Sequence, residues 1–347
     1  MVLPRFSREV RVGVFFLCLV IAVLVYLKWS GAYAKYQAAS TSHTMTESLY
    51  LTGGTLWQQP FLFTAKYLRD IWWATLLGLL GGGAVIAFFP FGIFRKSLQG
   101  EGLRQCLVGT LVATPLMICA CCSSLVVPSL RKKGVGIGPS LSFWIASPSL
   151  HLGGIAIIAT LFSWQAALFR LLLAFGTSVL VAAFIGARAS CSLQSPPLES
   201  TNSLDLPVSS SPIFALRWVE TTLRLAGKLL PIAVGATLVV GVVKTYLFPG
   251  PLPMLQDAGL LQLLMVSLLG TLMMVPTLGE IPLVLGLAQL GLSQSSAAVL
   301  LYSLPAVNFP SLLIVGRYLG WKVASAVGIA VTGIGFAGGL VWQVLFS

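Results

Sequence analysis

The chain has 347 residues, 57% of them hydrophobic and only 9% charged, with a formal net charge of +12. Soluble globular chains carry about 25% charged residues, so the composition excludes that class and indicates a polytopic membrane protein. The basic residues cluster at the ends of apolar spans, as positive-inside topology demands, so the charge does not signal a nucleic-acid partner.

Arg5, Arg8 and Arg11 precede the apolar run Val12–Leu27. That run is long for a signal peptide, so an uncleaved transmembrane helix is expected at about 12–29. Residues 1–60 are read as this helix plus an extracytoplasmic segment. Further spans are expected at about 71–94, 139–162, 165–187, 229–247, 294–316 and 323–345. Two stretches, 106–130 and 259–290, read as re-entrant hairpins. The Ser/Pro-rich segment 189–212 reads as a cytoplasmic linker. It divides a first permease repeat, 61–188, from a second, 213–347.

The two halves resemble each other. "GTLVATP" at Gly109–Pro115 matches "GTLMMVP" at Gly270–Pro276. Gly134, Pro148, Trp164 and Gly176 match Gly291, Pro305, Trp321 and Gly333, all at one offset of 157. Charge then orients them. "RKKG" at Arg131–Gly134 is basic, whereas its counterpart "AQLG" at Ala288–Gly291 is not. "SWQ" at Ser163–Gln165 is uncharged, whereas "GWK" at Gly320–Lys322 is basic. Equivalent points would lie on opposite membrane faces. The expected fold is therefore all-α, with two inverted-topology repeats, re-entrant hairpins and proline-broken helices behind one N-terminal transmembrane helix. The expected setting is the inner (plasma) membrane, multi-pass, with a cytoplasmic N-terminus.

Backbone at a hairpin tip loses helical hydrogen bonds and must sit inside protein or line a wet cavity. Pro148 and Pro305 each remove a donor within a span. By repeat symmetry the tips and breaks meet near the midplane, where helix ends can hold an ion or polar solute. His151 and Asn308 each follow a proline break by three residues. Glu280 is the only acid of the second hairpin, and an intramembrane carboxyl is usually functional. Arg170, near the end of its span, reads as a snorkelling side chain. His151 reads equally as a pathway residue or as a hydrogen-bonded core histidine.

The first hairpin also carries Cys119, Cys121 and Cys122. In an unwound tip they can converge on a soft cation such as copper(I), zinc or trivalent arsenic. Ser123 and Ser124 are candidate caps for a following half-helix, whose positive end would favour thiolate. The alternative is tight packing of three small residues.

Here the chain resembles the predicted permeases that include the ArsP-like organoarsenical exporters and the YraQ-like permeases. The resemblance rests on "CACC…LRKKG", "SFWIASP" and "GEIP…LG…SLPA", and covers roughly 60–345. It implies an inner-membrane permease of many spans, some members of which export trivalent organoarsenicals or are linked to metal efflux. Cys122 stands where the family has Gly, and Leu125 where it has Pro, so this tip has an added thiol.

The reading is a transporter, not an enzyme, with no resident cofactor. Cys119, Cys121, Cys122 and Ser123 would bind an exported soft metal or organometalloid. Pro148, His151, Glu280, Pro305 and Asn308 would line the pathway, with the proton as coupling ion. No nucleotide-binding P-loop is present. Two rivals stand: a permease for an unrelated small solute with incidental cysteines, and a membrane thiol–disulfide oxidoreductase. The second is disfavoured because the chain is read as lacking C-x-x-C redox pairs.

Overall fold

A computed structural model describes residues 57–88, 97–132, 134–192, 214–247, 259–275, 279–289 and 291–346, with five positions between 15 and 26. The expected first transmembrane helix lies almost wholly outside the described residues, as do the extracytoplasmic segment to 56 and the linker from 193 onward. Every regular element among the described residues is helical.

Helix α1 (Gln59–Phe88) leads the first half. Helices α2 (Leu103–Ala113) and α3 (Ala120–Lys132) form its hairpin. At a rise of 1.5 Å per residue each covers about half of a 30 Å hydrocarbon core. A 3₁₀ turn containing Pro115 ends α2, and Met117 follows in a left-handed conformation (φ 50°). A non-glycine residue adopts that conformation only under tertiary constraint. Here the Ser147 hydroxyl bonds both the N–H and the C=O of Ile118, at 3.4 Å each, and fixes the tip to the next span.

That span is broken. Helix α4 (Ile137–Ser149) stops one residue after Pro148, and α5 (Leu152–Leu161) starts after His151. All of α4 is buried, so it is the central rod of this half. Helices α6 (Trp164–Gly176) and α7 (Ala182–Ser192) run on through a π-helical turn, Thr177–Val181. Helix α7 thus continues past the expected linker start at 189.

The second half repeats this order. Helix α8 (Phe214–Leu247) merges the expected amphipathic lead-in and span into one rod packed along α1. Helices α9 (Leu260–Leu272) and α10 (Glu280–Gln289) flank a non-helical tip, of which 276–278 lie outside the described residues. Pro276, matched to Pro115 above, is among those three. Helix α11 (Gln294–Ala306) is buried from Ser295 onward and is bent by 43° from α12 (Phe309–Leu319). Helix α13 (Trp321–Phe346) closes the chain described here.

The hairpins also end alike. Gly134 and Gly291 have φ of 81° and 95°, a conformation glycine reaches without a Cβ penalty. In each, the glycine N–H bonds the carbonyl three residues back and the next N–H bonds the one five back, a Schellman termination.

Among the described residues, three stretches are long and apolar enough to cross a membrane: Ile137–Leu161, Trp164–Ala189 and Trp321–Phe346, with α11–α12 a fourth as a bent pair. Outward side chains such as Leu261, Leu264, Leu268, Ile329 and Val344 are exposed and suit contact with lipid. In lipid, close packing rather than water release joins helices, and small residues permit it. Gly109 of α2 lies against Ser142 of α4, and Gly270 of α9 lies against Ser303 of α11.

Candidate functional site: crossed hairpin tips and helix breaks

Two polar clusters form where a tip from one half meets a break in the other. The first joins the cysteines to Asn308. Sγ of Cys119 and Sγ of Cys122 are 3.0 Å apart. The Cys121 thiol donates to Asn308 Oδ1 at 3.3 Å and also hydrogen-bonds with Cys119. Cys121 and Cys122 are buried and Cys119 is half-buried, so Cys119 is the member nearest an accessible surface. None of the three is in a disulfide.

The thiols form a chain of contacts rather than a cage. Among the described residues, no three His, Cys, Asp or Glu side chains are arranged to hold a metal ion. Ser123 and Ser124 do not cap α3, contrary to expectation. The Ser123 hydroxyl donates to the carbonyls of Ala120 and Trp144, each at 3.1 Å, and the Ser124 hydroxyl donates to that of Cys121 at 2.6 Å. Ser123 therefore pins α3 to α4. A second correction concerns spacing: Cys119 and Cys122 are themselves a C-x-x-C pair at a helix start, the pattern of dithiol centres.

Asn308 and His151 hold equivalent posts. The Ser311 N–H donates to Asn308 Oδ1 at 3.0 Å, and the Asn308 N–H donates to Ser311 Oγ at 3.0 Å, a reciprocal cap on α12. The Gly154 N–H donates to His151 Nδ1 at 2.8 Å and caps α5. Because Nδ1 accepts, the proton of the neutral ring sits on Nε2.

The second cluster surrounds Glu280, the first residue of α10. Arg170 Nη1 donates to Glu280 Oε1 at 3.0 Å, and His151 Nε2 is 3.5 Å from the same oxygen. Arg170 Nε donates to the Ser149 carbonyl at 3.1 Å and Nη2 donates to that of Pro148 at 3.4 Å. Arg170, Glu280 and His151 are 0%, 1% and 1% exposed. The expectation that Arg170 snorkels is thus overturned: its charge is sealed inside, against the only acid of the second hairpin. Sequence reasoning missed this pair because the partners are 110 residues apart. The usable signal was that a buried carboxylate needs a cation, and Arg170 is the one basic residue in the interior of its span.

Pro148 and Pro305 are buried next to these breaks. Their roles follow from geometry: each ends a central rod, so the following residue can turn and cap the next helix. The site is built from broken helices, buried charge and thiols, within a bundle whose outer faces are apolar. A model of the predicted permease family ArsP_1 matches residues 56–344. The chain belongs to that family. This permease is also 28% identical over 328 residues to the UPF0718 protein YraQ of Escherichia coli strain K12, covering 94% of the chain and 93% of the relative. No solved structure matches it. Family membership makes it a membrane transporter of a small solute.

Proposed function

We propose that this permease exports a thiophilic species, above all a trivalent organoarsenical, by alternating access between two inverted halves in the inner membrane. The observation that carries the reading is the Cys119–Cys122 dithiol at 3.0 Å, at the start of α3 beside the hairpin tip, with Cys119 half-buried. An arsenical R–As(OH)₂ would exchange two As–O bonds for two As–S bonds. Each thiol proton leaves on a hydroxide, two waters are released, and no electron moves. Two thiols satisfy such an arsenical, whose third valence is carbon. Zinc needs four ligands, so the two-thiol geometry favours the metalloid over zinc.

His151, Asn308, Glu280, Pro148 and Pro305 line the pathway in this reading, and Glu280 exchanges the coupling proton. Matched Schellman ends, matched glycine–serine contacts and matched caps support the repeat, and the opposite charge of its equivalent ends supports the inversion. The same dithiol would serve a thiol–disulfide oxidoreductase. The buried Arg170–Glu280–His151 cluster has no part in that chemistry and weighs for transport.

Expression in an arsenic-sensitive host tests the reading. Wild type should raise resistance to trivalent methylarsenic more than to copper or zinc, and Cys119→Ala, Cys121→Ala and Glu280→Gln should reduce it. Resistance unchanged for all three challenges would remove the substrate class.

A further inference from the structure

The Arg170–Glu280 pair is more than a neutralised charge. Helix α4 ends at Ser149, so the Pro148 and Ser149 carbonyls lack helical partners and lie at the negative end of its dipole. Arg170 donates to both. The guanidinium is therefore fastened to the first half by bonds that do not involve Glu280. Only Nη1 reaches across to Glu280, which sits at the positive end of α10 in the second half. Of the two partners, Arg170 has a place of its own and Glu280 is held from outside.

We propose that Arg170 is the positioning residue of a proton site at Glu280, clamping the second hairpin tip to the first half only while the carboxylate is charged. This rests on the transport reading. A proton on Glu280 removes the ion pair and leaves Arg170 on its two carbonyls. The start of α10 then separates from α6 without stranding the cation. His151 does not carry the clamp's charge: with Nδ1 accepting from Gly154 its ring is neutral, and its Nε2, 3.5 Å from Glu280 Oε1, offers a neutral contact rather than an ion pair. The groups facing Glu280 are Arg170 from α6 and His151 from the α4–α5 break. Tyr302, the titratable residue of α11, which packs along α10, is engaged elsewhere, its hydroxyl 2.7 Å from Thr177 Oγ1.

Hydrogen–deuterium exchange on the purified full-length protein tests this without any cargo, so it fails independently of the substrate assignment. Rates are corrected for the intrinsic pH dependence of exchange. In wild type, protection of amides 283–288 should fall about tenfold on acidification, as the tip opens locally. Arg170→Gln and Glu280→Gln should show low protection that no longer responds to pH. Arg170→Lys keeps the charge but not the planar fork, and should recover part of the response. If Arg170→Gln does not fold, wild type against Glu280→Gln decides the matter. Wild-type protection indifferent to pH, or a wild-type pH response in either Gln variant, would overturn the proposal.

Discussion

His151 and Asn308 start equivalent half-helices by the same device, a side-chain acceptor for the N–H three residues on, at 2.8 and 3.0 Å. Each also meets the hairpin tip of the other half, His151 at Glu280 and Asn308 at Cys121. The centre of the protein is thus two tips crossed over two breaks. One crossing carries charge and the other carries thiol.

The caps predict an ordered effect on stability. Removing a side-chain cap costs about 1 kcal/mol. Asn308→Ala loses the cap and the Cys121 contact together, keeping only the backbone N–H bond to Ser311 Oγ, so its melting temperature in detergent should fall further than that of Asn308→Asp. His151→Asn keeps an acceptor for Gly154 and should melt above His151→Ala. Equal melting of the two members of either pair would show that capping is not their role.

Close packing of the hairpins predicts an asymmetry between matched glycines. A Cβ on Gly109 would meet the Ser142 hydroxyl and lie 2.8 Å from the Pro139 carbonyl, which is backbone and cannot rotate away. A Cβ on Gly270 would meet the Ser303 side chain, with Leu300 Cδ2 next at 3.2 Å. Gly109→Ala should therefore cost about 1–3 kcal/mol, and Gly270→Ala less. Thermal denaturation of the two variants side by side measures the difference.

The hairpins were legible in the sequence because punctuation and length agree there. The runs are too short to span, Pro115 sits at one end, and Gly134 and Gly291 mark the other. The breaks were legible from Pro148 and Pro305. What escaped was tertiary. Nothing local to Arg170 names a partner 110 residues on. Ser123 looks like a cap by composition, yet its hydroxyl is taken by carbonyls of α3 and α4. The polar lead-in to α8 hid the fact that one helix runs unbroken from Phe214 to Leu247.

Inverted topology predicts opposite sidedness for the two hairpin ends. In an otherwise cysteine-free protein, a cysteine at Gln289 should react with an impermeant maleimide from outside, and one at Lys132 only after access from inside. Labelling of both from one face would remove the inverted repeat and leave a parallel one.

In the proposed function the Cys119–Cys122 dithiol carries an arsenical across the membrane. Uptake of trivalent methylarsenic into everted membrane vesicles, driven by an imposed proton gradient, measures it most directly. Wild type should accumulate the arsenical. Cys119→Ser and Cys122→Ser should each lose about tenfold or more, because a hydroxyl does not replace a soft thiolate ligand. Cys121→Ser should lose less, since its hydroxyl still donates to Asn308. Undiminished uptake by the double Cys119→Ser/Cys122→Ser variant would contradict the claim.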